Sequence, residues 1–181
     1  MKNRLLLLLL LAGILAACEE DKLTPSDPQE FYEFPQGNAD YDQEFVAFYE
    51  KYNTQFLYKY READFRWNVT EYIPYYSVPA NEAYVGKAYR LIKEKCLDAW
   101  GETFYKDMLP LRILLASEVY NWESKDNWVR DPETGESVNQ KYNDTTWYAT
   151  AYGLNHVTFG CTSDKLDNLT PKEQLNLIGD M

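Results

Sequence analysis

The stretch that decides the fold is Leu109-Pro110-Leu111-Arg112-Ile113-Leu114-Leu115-Ala116-Ser117-Glu118-Val119-Tyr120. At its centre, residues 113–116 form a short apolar run, which is compatible with a buried strand or with a core helix. The proline before the run and the polar segment after it favour the strand, because strands are commonly bounded by turn signals. We therefore predict a buried strand over residues 109–120.

Two long helices are predicted upstream of this strand. The first, over residues 41–60, is indicated by apolar side chains at helical spacing and begins after a capping pair formed by Asp40 and Gln43. The aromatic residues in this pattern are Phe45, Phe48, Tyr49, Tyr52, Phe56 and Tyr60. The second helix is predicted over residues 81–108, with a bend or break at Gly101, because glycine costs roughly 1 kcal/mol relative to alanine inside a helix.

The remaining segments indicate further strands and connections. Alternating apolar and polar side chains predict a half-buried strand over residues 64–70, and residues 145–152 and 154–159 are predicted as two more strands. Residues 72–79 are predicted as a turn-rich connection and residues 126–143 as an exposed loop. The expected fold class is therefore α+β, with two long helices packed against a small, mainly antiparallel sheet.

The C-terminal residues carry a strong helix-start signal. Thr170 can cap the first turn, Pro171 occupies the first helical position and Glu173 stands three residues after the cap. Only residues 174–181 follow, about two turns of helix, and isolated helices of that length are marginal in water. We therefore expect the sequence to stop inside a larger domain.

The N-terminus has the features of a bacterial lipoprotein signal. Lys2 and Arg4 precede an apolar stretch over residues 5–17, which is shorter than the ~20 residues that a membrane-spanning helix needs. Small residues then lead to Cys18 in a pattern that resembles a lipobox, in which the cysteine accepts the lipid and becomes the mature N-terminus. An ordinary cleaved signal followed by a coincidental cysteine is the alternative. We predict a signal peptide over residues 1–17 and lipidation at Cys18.

Acidic and turn-forming residues follow this cysteine. Glu19, Glu20 and Asp21 resemble the export signal of surface-exposed lipoproteins in Bacteroidetes-type bacteria. Prolines and polar residues interrupt any periodicity in the rest of 18–39, which we predict as a flexible tether before a domain over residues 40–181. The expected location is the outer membrane, with the protein held by its lipid anchor and exposed at the cell surface.

Composition narrows the expected partners. The chain has 18 basic and 29 acidic residues, and removal of Lys2 and Arg4 with the signal changes the net charge from −11 to −13. Such a surface repels phosphate backbones, so nucleic acid is not an expected partner. The 16 tyrosines, 5 tryptophans and 8 phenylalanines favour aromatic packing, with sugar-stacking surfaces as the alternative. After lipidation, Cys96 and Cys161 either form a disulfide or stay as separate thiols.

Candidate catalytic residues are few. His156 is the only histidine, so a His-Glu-x-x-His zinc motif cannot form, and the sequence has no Gly-x-Ser-x-Gly segment for a serine nucleophile. A structural histidine in a strand is the favoured interpretation. Glu118, Glu123 and Asp126 follow the buried strand, and they either line a cleft, as glycosidase carboxylates do, or are solvated. No catalytic or metal-binding residue is assigned from these patterns.

Four blocks of the sequence resemble a known family. They are Phe48-Tyr49-Glu50-Lys51-Tyr52-Asn53-Thr54-Gln55-Phe56 with Tyr58-Lys59-Tyr60, then Phe65-Arg66-Trp67, Leu109-Pro110-Leu111-Arg112-Ile113-Leu114-Leu115, and Gly153-Leu154-Asn155-His156. These blocks are similar to the substrate import-associated zinc metallohydrolase lipoproteins, which are also described as zinc-binding metallopeptidases. The resemblance covers most of the mature chain, from about residue 40 onward.

The resemblance implies a zincin-like fold in which a His-Glu-x-x-His helix follows a small sheet. It also implies zinc as the cofactor of full-length members, and association with an outer-membrane import complex. Because the sequence stops at Met181, before any such motif, none of the family's zinc ligands has a matching position. We therefore expect a surface lipoprotein with a truncated metallopeptidase-like domain that is inactive alone. The alternatives are a non-catalytic glycan- or peptide-binding accessory lipoprotein and a structural subunit of the transporter.

We predict that the purified mature protein binds no stoichiometric zinc at neutral pH. Zinc hydrolases use three protein ligands, and this sequence offers one histidine without a companion motif. Elemental analysis of the purified protein by mass spectrometry measures the zinc content. One tightly held zinc ion per chain would contradict the expectation of a truncated zincin.

Overall fold

The computed structural model describes residues 32–68, 73–179 and 181. Within these ranges the chain is mixed α and β. The helices are α1 (Asp40–Tyr52), α2 (Glu62–Phe65), α3 (Glu82–Lys95), α4 (Glu102–Met108) and α5 (Pro171–Gly179), with 3-10 turns at Leu97–Ala99 and Asp164–Asp167. The strands are β1 (Gln55–Leu57), β2 (Tyr76–Pro79), β3 (Arg112–Lys125), β4 (Trp128–Arg130), β5 (Ser137–Asn139), β6 (Tyr142–Tyr148), β7 (Thr150–Tyr152) and β8 (His156–Phe159).

Strand β3 is the centre of a mixed sheet. Its first part pairs in parallel with β1 on one side and β8 on the other, and β7 pairs antiparallel with β8. Its second part pairs antiparallel with β2 and β6. The prediction of a mainly antiparallel sheet therefore fails for the first part. Strand β1 is joined to β3 by a long connection that contains helices, and β8 follows β3 only after β4, β5, β6 and β7, so neither parallel pair is a hairpin.

The first part of β3 is buried on both faces, as the sequence predicts. Ile113 and Leu115 lie in the core cluster that the helices cover, whereas Leu114 and Ala116 lie in a second cluster behind the sheet. Alternate side chains of a strand point to opposite faces, so an unbroken apolar run is what two covered faces require. The residues most buried against β3 on the helical side are Phe45, Phe56, Val85, Ile92 and Phe159.

The first long helix is shorter than predicted. Helix α1 ends at Tyr52 because Asn53 adopts the left-handed conformation, with φ of 57°, and its N–H donates to the carbonyl of Tyr49 at 2.8 Å. The predicted capping pair is also shifted by one residue, since the backbone N–H of Ala39 donates to the carboxylate of Asp42 at 2.9 Å. Phe56, assigned by its spacing to the helix, is a fully buried strand residue in β1.

The second predicted helix is interrupted where glycine was expected to interrupt it. Helix α3 ends at Lys95, a 3-10 turn follows, and α4 begins directly after Gly101, which acts as its N-cap. The prediction of a bend or break at this position is confirmed. Because of this interruption, the apolar pattern that predicts one long helix belongs to two separate helices, α3 and α4.

Several weaker predictions are corrected. Residues 64–65 belong to α2 and residues 66–68 form no strand, while residues 69–72 lie outside the described ranges. The predicted connection over 72–79 contains β2, and the predicted loop over 126–143 contains the β4–β5 hairpin. These strands have only three or four residues, so the alternation of apolar and polar side chains is too short to distinguish them from turns. They are stabilised by pairing with neighbouring strands. The predicted strands at 145–152 and 154–159 are present as β6, β7 and β8.

The segment before α1 packs against the domain. The side-chain Oε1 of Gln36 accepts hydrogen bonds from the backbone N–H groups of Tyr58 at 2.8 Å and Lys59 at 3.0 Å, and the ring of Phe34 lies 5.4 Å from that of Tyr49. Residues 32–39 therefore belong with the folded domain. The signal peptide, Cys18, the acidic export signal and residues 18–31 of the predicted tether lie outside the described ranges and stay predictions.

The C-terminal helix begins as the sequence predicts. The N–H of Thr170 donates to the carboxylate of Glu173 at 2.8 Å, and the N–H of Glu173 donates back to the Thr170 hydroxyl at 3.3 Å, which completes a capping box. Helix α5 then buries Ile178 against the helical core. Among the helices in the described ranges, none combines the length and apolar character needed to cross a membrane.

We predict that Leu115→Ala lowers the free energy of unfolding by about 2–5 kcal/mol, because Leu115 is fully buried in the central strand and its truncation leaves a cavity. Urea unfolding followed by circular dichroism measures the change. Leu111→Ala is the matched control, since Leu111 is 54% exposed just before the same strand and should shift stability by no more than about 0.5 kcal/mol. Equal effects of the two substitutions would contradict the assignment of β3 as the core strand.

Candidate functional site

The single histidine lies where the parallel strands begin. His156 is the first residue of β8, is 3% exposed, and pairs in register with Arg112 of β3, which pairs in turn with Gln55 of β1. The ring of Phe65, from α2, lies 6.0 Å from the imidazole. The histidine is therefore buried beside β3 and the Phe65 ring of α2.

A glycine makes room for this ring. A Cβ atom at Gly153 would lie 2.0 Å from Cε1 of His156, so the imidazole can occupy its position only because residue 153 has no side chain. The N–H of Gly153 donates to the carbonyl of His156 at 3.0 Å, which closes the turn between β7 and β8. The position of the His156 ring therefore depends on Gly153, a dependence that the sequence does not indicate.

Burial keeps the His156 ring neutral. Burial lowers the pKa of His156 to about 4, against the weaker opposing influence of the Phe65 backbone, and the Arg112 guanidinium lowers it further. Nδ1 lies 3.4 Å from the side-chain oxygen of Asn155, and within the described ranges Nε2 has no hydrogen-bond partner. A ring with this pKa stays neutral near pH 7 and does not change its charge there, which favours the structural interpretation over a catalytic one.

The carboxylate of Asp64, close to this histidine, binds Tyr32 in the segment that precedes α1. Asp64 accepts a short hydrogen bond from the Tyr32 hydroxyl and two bonds from the Arg61 guanidinium, at 2.7 Å from Nε and 3.1 Å from Nη2. Burial opposes ionisation of Asp64, but Arg61, Tyr32 and Arg112 outweigh it and hold the pKa of this carboxyl below its usual value. Sequence reasoning missed the cluster because Tyr32 falls in the predicted tether and Asp64 in a predicted strand.

The residues present do not fit a zinc site. Within residues 32–68, 73–179 and 181, no three histidine, cysteine, aspartate or glutamate side chains come together as a group that could hold a metal ion. Cys96 is half-buried, Cys161 is buried, and both are free thiols whose pKa burial raises. A raised thiol pKa disfavours the thiolate that zinc requires.

The three candidate carboxylates do not form a catalytic pair. Glu118 and Glu123 are five residues apart on β3 and therefore point to opposite faces of the strand. Glu118 forms an ion pair with Lys165 at 2.8 Å, and Asp126 accepts a hydrogen bond from Asn139 at 2.7 Å. The geometry therefore favours the interpretation that these carboxylates are solvated.

A cavity of about 370 Å³ lies between α1, α3 and α4. Its walls include the rings of Phe48, Tyr52, Tyr89 and Tyr105, and charged side chains surround its opening. Lys93 lies 3.1 Å from Glu44 across this opening, so these opposite charges neutralise one another. The sequence did not indicate this cavity, because it depends on how α1 and α3 pack.

A row of four aromatic rings, two of them exposed and two half-buried, lies on the antiparallel half of the sheet. Tyr76 of β2, Tyr120 of β3 and Trp147 of β6 are paired across the three strands, and Trp122 stands two residues further along β3 on the same face. We name these four residues the aromatic row. From the sequence they could not be separated from the aromatics of the core.

Comparison of this chain with protein-family models, with curated proteins and with solved structures found no match. The fold and the residues described above are therefore the basis for inferring its function.

We predict that His156 makes the protein less stable as the pH falls from about 6.5 to about 4. In this window the unfolded chain binds a proton at the histidine and the folded chain does not, so the stabilising contribution is complete above pH 6.5 and is lost toward pH 4. The expected loss is on the order of 2 kcal/mol.

Urea unfolding of the wild type and of His156→Gln at several pH values tests this expectation. Carboxylates titrate in both proteins and cancel in the difference between the two curves. The wild type should lose more stability than the variant between pH 6.5 and 4. Parallel curves would show that His156 is not held neutral by burial.

Proposed function

We propose that this protein is a lipid-anchored surface component of an outer-membrane nutrient import system, and that its domain shares the architecture of zincin-like zinc metallohydrolase lipoproteins. In this proposal the described residues form the frame of such a domain and supply none of its chemistry. In this proposal the chain is inactive alone, since its described side chains do not fit zinc.

One observation carries the metallohydrolase part of the proposal. The four blocks that resemble the family are far apart in the sequence, yet they meet at one end of the parallel sheet. The first block supplies Gln55, the third supplies Arg112 and the fourth supplies His156, and these residues lie side by side in register. The second block supplies Phe65, whose ring packs beside the imidazole. A shared architecture explains why a resemblance would be concentrated in these blocks.

The lipoprotein part rests on the N-terminal sequence. We predict that Cys18→Ala moves the protein from the membrane fraction to the soluble fraction, because the acyl chains on this cysteine provide the membrane affinity. Cys96→Ala is the matched control, since it removes a half-buried thiol and leaves Cys18 in place. Fractionation with immunoblotting of the full chain measures the distribution.

The same experiment separates anchoring from surface export. Replacing Glu19, Glu20 and Asp21 with alanine should leave the protein in the membrane but protect it from protease added to intact cells. Continued membrane association of Cys18→Ala would refute the lipid anchor. Unchanged protease sensitivity of the alanine variant would refute the export signal.

A second candidate function is a non-catalytic glycan- or peptide-binding accessory lipoprotein of the same import system. One specific observation favours it, which is that Trp122 and Trp147 of the aromatic row are 43% and 55% exposed.

A further inference from the structure

The aromatic row is continuous across three strands. The ring centroids of Tyr76 and Tyr120 are 5.6 Å apart, those of Tyr120 and Trp147 are 5.4 Å apart, and those of Tyr76 and Trp122 are 6.4 Å apart. The Tyr76 ring is inclined by only 22° to Tyr120 and by 17° to Trp122. Strand register sets this arrangement, because paired residues of neighbouring strands lie on the same face.

The exposure of its two tryptophans sets this row apart from the aromatic rings of the helical core. Rings such as Phe45 and Phe56 stack inside the helical core and are almost completely buried, so packing explains them. The two tryptophans of the row instead leave about half of their surface in water. Contiguous exposed apolar groups of this kind commonly mark a binding surface.

The charges around the row are balanced. The Arg66 guanidinium lies 4.9 Å from the Tyr76 ring centre and pairs with Glu62, and the Lys165 ammonium lies 4.7 Å from the Trp147 ring centre and pairs with Glu118. These pairs give the surface no net charge to attract an ion. The whole chain carries a net charge of −11, which repels polyanions. The ligand that fits is therefore uncharged.

The size of the row favours a narrow ligand. A stable protein–protein interface uses about 20–30 residues on each side, and the row offers four aromatic rings. A pyranose ring has an apolar C–H face that packs on aromatic side chains and hydroxyl groups that bond to polar neighbours. Two polar side chains on this face can form hydrogen bonds with those hydroxyls. One is the Glu118 carboxylate, which lies beside Tyr120 on the same face of β3, and the other is exposed Thr145, which is paired with Trp122.

We propose that the aromatic row binds a neutral polysaccharide, with Trp122 and Trp147 as the principal contacts. This inference deepens the accessory-binding candidate and is independent of the lipid anchor and of zinc. If Cys18→Ala does not release the protein from the membrane, the polysaccharide proposal still stands. If no polysaccharide binds, the proposed lipid anchor still stands.

The test is native gel electrophoresis of the detergent-extracted full chain through gels that contain amylopectin, xylan, galactomannan or mixed-linkage β-glucan. At least one of these neutral polysaccharides should retard the wild type. Trp122→Ala and Trp147→Ala should each weaken the affinity by roughly tenfold or more, since truncating a central aromatic contact removes much of the binding energy. Trp147→Phe, which keeps a ring, should retain measurable retardation.

Trp100→Ala is the matched control. Trp100 is 54% exposed and stacks on Phe104 at 4.6 Å, outside the aromatic row, so its removal should leave retardation unchanged. Unfolding curves that match the wild type establish that the row variants are folded. Absence of retardation by all four polysaccharides overturns the proposal, as does equal weakening by Trp100→Ala. Loss of co-purification with the import transporter in the row variants, without any polysaccharide retardation, overturns it in favour of a protein partner.

Discussion

The burial of β3 on both faces is the constraint on which the rest of the domain depends. Its first residues have no solvent side, so both faces need a covering layer and both edges need a paired neighbour, which here are the parallel strands β1 and β8. Helices α1 and α3 supply one layer, and the second cluster supplies the other. Beyond Val119 the same strand leaves the core and becomes half-exposed, then exposed. One strand therefore joins a parallel, enclosed half of the sheet to an antiparallel, solvent-facing half.

The sequence predicted those elements whose signals are local. The apolar run of β3, the interruption at Gly101 and the capping box of α5 all depend on residues within a few positions of one another, and all three are present. Strand β1 was missed because Phe56 and Tyr60 continue the helical spacing of α1, whereas the left-handed Asn53 ends the helix first. Whether a strand pairs in parallel or antiparallel depends on the path of the chain, which no local pattern records.

The candidate sites illustrate the same limit. The structural interpretation of His156 followed from its place in a predicted strand, whereas its burial and its need for a glycine at residue 153 are visible only in the structure. The aromatic composition indicated either packing or sugar stacking, and the structure accommodates both. Core rings lie between the helices and the sheet, while the aromatic row lies in register on an open face. Strand register, rather than composition, separates the two groups.

In the proposed lipid-anchored protein, the docking of residues 32–39 would limit the distance between the domain and the membrane. Gln36, Phe34 and Tyr32 fix this segment to the domain surface, so at most residues 18–31, and not the whole of 18–39, separate Cys18 from the residues that pack on the domain. At full extension a chain of that length reaches about 50 Å, compared with about 75 Å for the longer segment. For a protein anchored at Cys18, any partner embedded in the same membrane would have to present its binding surface within that shorter radius.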